Sequence, residues 1–91
     1  MYGVSLEFDI IFSPKAFKDL KKLDKPTQIR IKEAVIKLKQ FPPQADVLKL
    51  KGGQGNELRL RVGDWRVVFE YRFQEKGVYI LTIKNRRDAY K

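Results

Sequence analysis

The residues of this chain that could do chemistry are cationic, and the first group lies around a Gly63-Asp64 pair. Arg59 and Arg61 precede the pair, and Arg66 follows it. A two-residue hairpin loop would place Arg61 directly opposite Arg66. Arginines that face each other across a ladder repel, but a phosphate held between their guanidinium groups makes the arrangement favourable. The pattern therefore indicates either an anion site or a charged sheet face screened by water.

The second basic group is the C-terminal run Lys84-Asn85-Arg86-Arg87-Asp88-Ala89-Tyr90-Lys91. It follows a segment that should pair with the Arg66 strand, so its side chains can return to the same face. An aromatic ring beside clustered arginines suits base stacking and backbone contacts on single-stranded RNA, and Tyr90 is assigned to that task. A frayed basic tail is the alternative. Trp65 shares its strand face with apolar residues and is assigned to core packing.

Composition supports an anionic partner and narrows the chemistry. The chain has 20 Lys and Arg against 11 Asp and Glu, which gives a formal net charge of +9. Nucleic acid is the default partner of so basic a domain, with a merely soluble surface as the alternative. The absence of cysteine and histidine excludes disulfides, Cys-based zinc sites and the usual general base. We expect no cofactor and no metal.

Length and hydropathy indicate one domain over residues 1–91. No apolar run approaches the roughly 20 residues of a spanning helix, so we expect no membrane association. The first residues lack the charged-then-apolar order of a signal peptide, and a cytoplasmic location is the expectation.

The first half of the chain predicts one strand and two helices. Apolar residues alternate over residues 4–12, which is typical of a half-buried strand. Ser13 and Pro14 suit the N-cap and first position of a short helix. A second helix is predicted over residues 26–41, with an apolar stripe for the sheet, and Pro42-Pro43 ends it. Ile29 and Ile36 fall on another face and should pack against the first helix.

The second half predicts strands at residues 46–51, 57–62, 65–73 and 78–84, the first of them short or merely extended. The fold class is α+β in the order β-α-α-β-β-β, with the N-terminal strand and a helical hairpin packed on a mostly antiparallel twisted sheet. The same hairpin register places Glu57 opposite Glu70, so like-charge pairing is not unique to the arginines. Beyond residue 73 the register is open, and a one-residue shift would move Arg86 to the opposite face.

Five motifs, taken in order, resemble the RelE/ParE superfamily of toxins from type II toxin–antitoxin modules. They are Ser13-Pro14-Lys15-Ala16, Leu20-Lys21-Lys22-Leu23, Leu48-Lys49-Leu50-Lys51-Gly52, Leu58-Arg59-Leu60-Arg61-Val62-Gly63-Asp64-Trp65-Arg66-Val67-Val68-Phe69 and Arg86-Arg87-Asp88-Ala89-Tyr90. The resemblance covers essentially the whole chain and favours the RelE-like mRNA interferase branch.

The resemblance implies a RelE-like fold and a ribosome-dependent mRNA endonuclease that needs no metal, because the 2′-OH of RNA is its own nucleophile. Arg66 and Arg86 would clamp the phosphate, Arg59 would support them, and Tyr90 would orient a base. Lys49, Lys51, Arg61 and Arg87 are the further residues assigned to RNA binding. No residue is assigned as general base.

The resemblance also implies partners and leaves alternatives open. The partners would be mRNA in the ribosome and a cognate antitoxin with an acidic or amphipathic segment, which together with the toxin would form a hetero-oligomer. The chain departs from the family pattern where Glu57 replaces a lysine and where Asn85 stands near a position that is histidine in some branches. Asp46 lies near a carboxylate that other branches use as base. The alternative functions are a ParE-like inhibitor of DNA gyrase and an inactive relic that binds only an antitoxin.

Overall fold

The computed structural model describes residues 6–41, 43, 45, 47–49 and 57–89. Its strands and helices are, in chain order, β1 (Leu6–Glu7), β2 (Asp9–Phe12), α1 (Pro14–Lys21), α2 (Lys25–Ile36), β3 (Gln40–Phe41), β4 (Val47–Lys49), β5 (Glu57–Val62), β6 (Trp65–Arg72), β7 (Gly77–Asn85) and α3 (Arg86–Ala89). Short 3₁₀ turns follow α2 at Lys37–Lys39 and β6 at Phe73–Glu75.

The sheet confirms the predicted α+β class. Its five strands are ordered β2-β7-β6-β5-β4, with β2 parallel to β7 and all other neighbours antiparallel. The predicted N-terminal strand is divided at Phe8, where β1 leaves to pair with β3. The Phe8 amide donates to the Lys39 carbonyl at 2.7 Å, and its ring is buried in the core. No helix in the described ranges is long and apolar enough to cross a membrane.

One face of the sheet carries the core, as the alternation in β5 and β6 predicts. The buried apolar and aromatic residues on these two strands are Leu60, Val62, Val67, Phe69 and Tyr71. They share one cluster with buried residues of the helices and of the 3₁₀ turn, namely Ala16, Leu20, Ile31, Val35 and Leu38. The opposite face holds the residues between them in sequence. We call it the charged face, and we define it by Arg59, Arg61, Arg66 and Lys84.

The start of α1 agrees with the sequence prediction. The Ser13 side chain accepts a hydrogen bond from the Ala16 amide at 3.0 Å, and Pro14 occupies the first helical turn. The Ser13 oxygen thus bonds a backbone amide of the first turn that has no partner within the helix. Proline has no amide hydrogen, so it leaves no unpaired donor at this position. The helix therefore begins where β2 ends.

The prediction that the second helix reaches residue 41 is wrong. The α-helix ends at Ile36, and the chain passes through the 3₁₀ turn into β3. Two interactions draw the backbone out of the helix: the Lys39 carbonyl accepts from Phe8, and β3 pairs with β1. In addition, Phe41 precedes Pro42, and a residue before proline disfavours helical geometry.

The prediction that Ile29 and Ile36 pack against the first helix is also wrong. Their exposures are 54% and 59%. The physical reason is the position of α1, which lies along the edge of β7. The Asp19 carboxylate of α1 accepts the Ile83 amide at 3.1 Å. This hydrogen bond ties α1 to β7, and the outer face of α2 is left in solvent.

A buried tyrosine joins the sheet to the end of the helical layer. The Tyr71 hydroxyl donates to the Leu38 carbonyl at 3.0 Å, and burial raises the pKa of Tyr71 to about 12. An unfolded tyrosine titrates near 10, so the unfolded chain releases this proton first as the pH rises. The contribution of Tyr71 to the free energy of unfolding is therefore fully present below about pH 10 and is lost as the pH rises towards 12.

We expect Tyr71→Phe to lower the free energy of unfolding by about 1 kcal/mol at neutral pH, because the Leu38 carbonyl loses its partner. Urea unfolding at about pH 8 and about pH 11 should show a smaller alkaline loss for the variant than for the parent, since only the parent carries the shifted group. All other side chains are the same in the two proteins, so their contributions cancel in the comparison. Equal alkaline losses would contradict the prediction.

Candidate nucleic-acid interface

The Gly63-Asp64 turn sets the register of the candidate site. Gly63 has φ of 58°, whereas Asp64 is not among the residues with positive φ, the combination found in type II′ hairpin turns. β5 and β6 then pair Val62 with Trp65 and Arg61 with Arg66. The register predicted from the two-residue loop is therefore confirmed. Trp65 is half-buried and packs against the core, as predicted.

The carbonyl groups of the turn hold two of the candidate arginines. Arg66 Nη1 donates to the Gly63 carbonyl at 2.8 Å and to the Trp65 carbonyl at 2.9 Å. The backbone amide of Arg86 donates to the Asp64 carbonyl at 2.6 Å. The turn thus brings Arg66 and the start of α3 to one end of the sheet, although they are twenty residues apart.

Arg66 is the buried cation of the site. Its exposure is 5%, and its Nε is buried without a hydrogen-bond partner. In the described part of the chain, no carboxylate lies within ion-pair distance of it. A buried charge that is hydrogen-bonded only to carbonyl groups is costly for folding, because carbonyls replace water but not a counter-ion. Because Arg66 is buried, water has little access to its charge, and a phosphate group would supply the counter-charge.

A row of cationic residues crosses three strands of the charged face. Arg61 of β5 pairs with Arg66 of β6, and Arg66 pairs with Lys84 of β7. Arg59 pairs with Val68, one step further along the same face. Side chains directly opposite each other in an antiparallel ladder have Cβ atoms about 4.5–5.5 Å apart. Three cationic side chains that start from neighbouring positions on one face attract a polyanion.

The C-terminal run is anchored rather than frayed at its start. The Asn85 side-chain oxygen accepts the Arg87 amide at 3.1 Å and so caps the short helix α3. Asp64, Asn85, Arg86 and Arg87 line a cavity of about 690 Å³ at this end of the sheet. Both arginine side chains are exposed to solvent. Two exposed basic side chains therefore line a cavity beside the hairpin turn.

Four candidates from the sequence lie away from this geometry or outside the described residues. Lys49 belongs to the edge strand β4, where its backbone pairs with Leu58. Lys51, Tyr90 and Asp46 fall outside the described residues, so their predicted roles remain predictions.

Glu57 is separated from the arginine pair along the sheet. It pairs with Glu70, four residues along β6 from Arg66, which corresponds to about 13 Å. The carboxylate of Glu57 is therefore not beside the buried guanidinium. The alternation of charged and apolar residues over 57–62 predicts that Glu57 and Arg59 face solvent, but both side chains are half-buried. Among the residues described, no three histidine, cysteine or acidic side chains converge as a metal site would require.

Sequence reasoning missed Lys84, Asp64 and Asn85 as parts of this site. Lys84 was part of a basic run with no defined register, and the pairing with Arg66 depends on a bulge that local sequence does not reveal. Asp64 was read only as a turn residue. Asn85 directly before two arginines is a recognisable helix cap, and that signal was available.

The family model for the ParE toxin of the type II toxin–antitoxin system parDE matches residues 10–90. The chain belongs to this toxin family. A curated relative is the candidate toxin RelE1 of Methanocaldococcus jannaschii, which is 29% identical over 89 residues, covering 94% of this chain and 98% of the relative. This member of the ParE toxin family is therefore also homologous to RelE toxins, and the family resemblance identified from its motifs is confirmed.

Solved structures support the same fold. The archaeal RelE-RelB complex from Pyrococcus horikoshii OT3 superposes with a TM-score of 0.73 at 29% identity, over 89% of this chain and 97% of that chain. The RelBE2 toxin–antitoxin complex of Mycobacterium tuberculosis gives a TM-score of 0.76 at 21% identity, over 89% and 93% of the two chains. At 21% identity, the Mycobacterium structure shows only that the two chains share a fold.

We expect inorganic phosphate to stabilise this toxin through Arg66. At several times its Kd, a bound anion adds about 1 kcal/mol, which raises the Tm of a domain of this size by about 4–8 °C. Thermal unfolding in phosphate and in chloride of equal ionic strength measures the effect. Arg66→Met should lose the phosphate-specific rise while keeping a free energy of unfolding within about 1 kcal/mol of the parent, since it removes a buried charge.

Arg72→Met is the matched control, because Arg72 lies on the same strand and face as Arg66 but is paired with Glu70 and covers the Tyr79 ring. It should keep the phosphate-specific rise. A rise that survives in Arg66→Met would show that the anion binds elsewhere.

Proposed function

We propose that this toxin is a metal-independent endoribonuclease that cleaves mRNA in the ribosome and thereby inhibits translation. The observation that supports it best is Arg66, a buried guanidinium that has no carboxylate partner in the described part of the chain and lies in the middle of a row of cations. A phosphate group supplies the counter-charge that this site lacks, and guanidinium groups bind phosphate in a fork geometry.

The reaction is an attack of the RNA 2′-OH on the adjacent phosphorus. The bond from the 2′ oxygen to phosphorus forms, the bond from phosphorus to the 5′ oxygen breaks, and the products are a 2′,3′-cyclic phosphate and a 5′-OH end. The proton of the 2′-OH leaves with a base, and the 5′ oxygen gains one. Negative charge grows on the phosphate oxygens in between, and fixed cations stabilise it.

Two arginines carry the electrostatic part of this reaction. Arg66 follows the hairpin turn, the Arg86 amide is bonded to it, and the two side chains clamp the scissile phosphate, with Arg59 one step from Arg66 on the charged face. Removing one preorganised donor to a developing oxyanion costs about 2.7–4 kcal/mol in well-studied enzymes, and alignment of the reacting atoms contributes several kcal/mol more. Tyr90 orients a base, and Lys49, Lys51, Arg61 and Arg87 bind flanking RNA. We assign no general base.

A cognate antitoxin is the second partner. The relatives from Pyrococcus and Mycobacterium were solved as complexes with their antitoxins, and the chain carries a formal net charge of +9. An acidic or amphipathic segment of the antitoxin would bind this basic chain and form a hetero-oligomer with it. We expect the complex to act in the cytoplasm, where mRNA and ribosomes are found.

Inhibition of DNA gyrase is the second candidate function, because the matching family model is named for the ParE toxin. That activity requires a protein-binding surface and no RNA cleavage. The cations of the charged face favour the nuclease, since neighbouring guanidinium and ammonium groups suit a phosphate better than they suit a flat protein surface.

Translation of a defined mRNA by purified ribosomes, with primer extension to map new 5′ ends, tests the proposed function. The parent protein should produce cuts inside codons only when ribosomes are present. Arg66→Ala and Arg86→Ala should each lower single-turnover cleavage by about 10²- to 10³-fold, while antitoxin affinity stays largely intact. Arg72→Ala, on the same strand and face as Arg66, should cleave like the parent.

Full toxicity in the double variant Arg66→Ala and Arg86→Ala would overturn the mechanism. Intact mRNA and normal translation with the parent protein, together with loss of gyrase supercoiling, would assign the gyrase function instead. Intact mRNA with normal gyrase activity would identify an inactive relic that binds only its antitoxin.

A further inference from the structure

The ladder between β6 and β7 contains a one-residue shift. Phe69 pairs with Ile80, but the preceding residue Val68 pairs with Thr82. Leu81 is therefore an extra residue on β7 and forms a β-bulge. A bulge bends the strand and interrupts the regular pairing of backbone groups, so the groups around Leu81 need other partners.

The shift decides which face the last third of β7 presents. An uninterrupted ladder would pair Arg66 with Ile83, which would place this isoleucine on the charged face. With the bulge, Ile83 is buried in the core at 5% exposure, and Lys84 lies opposite Arg66. The bulge also sets the point at which Arg86 reaches the hairpin turn. The cationic row therefore depends on this one extra residue.

Two residues of the α1 region form hydrogen bonds with β7 on either side of the bulge, along the edge that faces away from β6. The Ser13 hydroxyl donates to the Leu81 carbonyl at 2.9 Å, and the Ser13 amide donates to the Ile80 carbonyl at 2.9 Å. The Asp19 Oδ2 atom accepts the Ile83 amide at 3.1 Å and the Thr82 hydroxyl at 3.0 Å. These contacts begin where β2 stops pairing with β7, so α1 replaces the missing strand partner.

Asp19 is ionised at neutral pH. Burial raises the pKa of this carboxyl, but hydrogen bonds from the Ile83 amide, the Thr82 hydroxyl and Lys15 outweigh burial and hold the pKa below its ordinary value. A carboxylate that accepts from a backbone amide and a hydroxyl makes stronger bonds than a neutral acceptor. The side chain is 15% exposed, which limits competition from water.

We propose that Asp19 is a positioning residue of the RNA site. By holding the Ile83 amide and the Thr82 hydroxyl, it fixes the bulge at Leu81 and so places Lys84 and Arg86 beside Arg66. It contacts no substrate and acts through β7. This inference rests on the proposed function for its catalytic consequence, whereas its effect on anion binding and on the ladder is independent of RNA cleavage.

The test compares Asp19→Ala with Asp19→Asn, which keeps an oxygen acceptor for the Ile83 amide. Asp19→Ala should lower single-turnover cleavage of ribosome-bound mRNA by about 10- to 100-fold, because small misplacements of catalytic groups cost that much, while KM changes little. Asp19→Asn should recover most of the rate. Thr82→Val removes only one donor and should give an intermediate loss, and it provides a readout if Asp19→Ala does not fold.

Two control variants separate positioning from stability and from surface charge. Tyr71→Phe removes a buried hydrogen bond on another part of the sheet and should leave the cleavage rate unchanged below its Tm. Lys15→Ala removes the exposed partner of Asp19 and should also cleave like the parent. A rate that falls equally in Tyr71→Phe and Asp19→Ala would reduce Asp19 to a structural role and overturn the proposal.

Two measurements test the inference without RNA. Asp19→Ala should lose the phosphate-specific rise in Tm, and its NMR spectrum should lose the cross-strand contacts between Arg66 and Lys84. Unchanged contacts and an unchanged phosphate response in Asp19→Ala would overturn the inference even if the parent cleaves mRNA. If the parent cleaves no mRNA but Asp19→Ala loses both signals, the proposed function fails and the positioning of the anion site stands.

Discussion

The structure depends most on the two-residue turn at Gly63-Asp64. Its length sets the register of β5 and β6 and therefore the alignment of Arg61 with Arg66. Its two carbonyl groups accept the Arg66 guanidinium and the Arg86 amide, so one turn joins two separate basic segments. Gly63 suits this turn because its φ of 58° is strained for residues with a side chain. Local backbone geometry thus determines where the positive charge collects.

The positive charge that this turn brings together destabilises the folded state. Arg66 is 5% exposed, and Arg61 and Lys84 are its direct neighbours across the ladder. A protein selected for stability alone would place an apolar side chain at the buried position, since replacing a buried charge in this way is often neutral or stabilising. The compensation comes from the core on the other face, where fully buried side chains such as Phe69 and Ile31 pack between the sheet and α2. One face of the sheet thus carries the apolar core that stabilises the fold, and the other face carries the positive charge.

Sequence reasoning predicted what short-range rules control. The turn, its register and the Ser13 cap follow from residues within a few positions of one another, and all three are confirmed. It failed where distant segments decide: the second helix ends early because Lys39 bonds Phe8, far away in sequence. Ile29 and Ile36 stay exposed because α1 is held at the edge of β7.

The bulge marks the limit of prediction within the site. The segment Ile80-Leu81-Thr82-Ile83 favours a strand at every position, and nothing in it indicates which residue is extra. The bulge is fixed at Leu81 by Asp19, which accepts the Ile83 amide and is sixty-four residues from it in sequence. The register of β7 decides whether Lys84 or Ile83 lies opposite Arg66, so the charge pattern of this face depends on a contact between two segments that are distant in sequence.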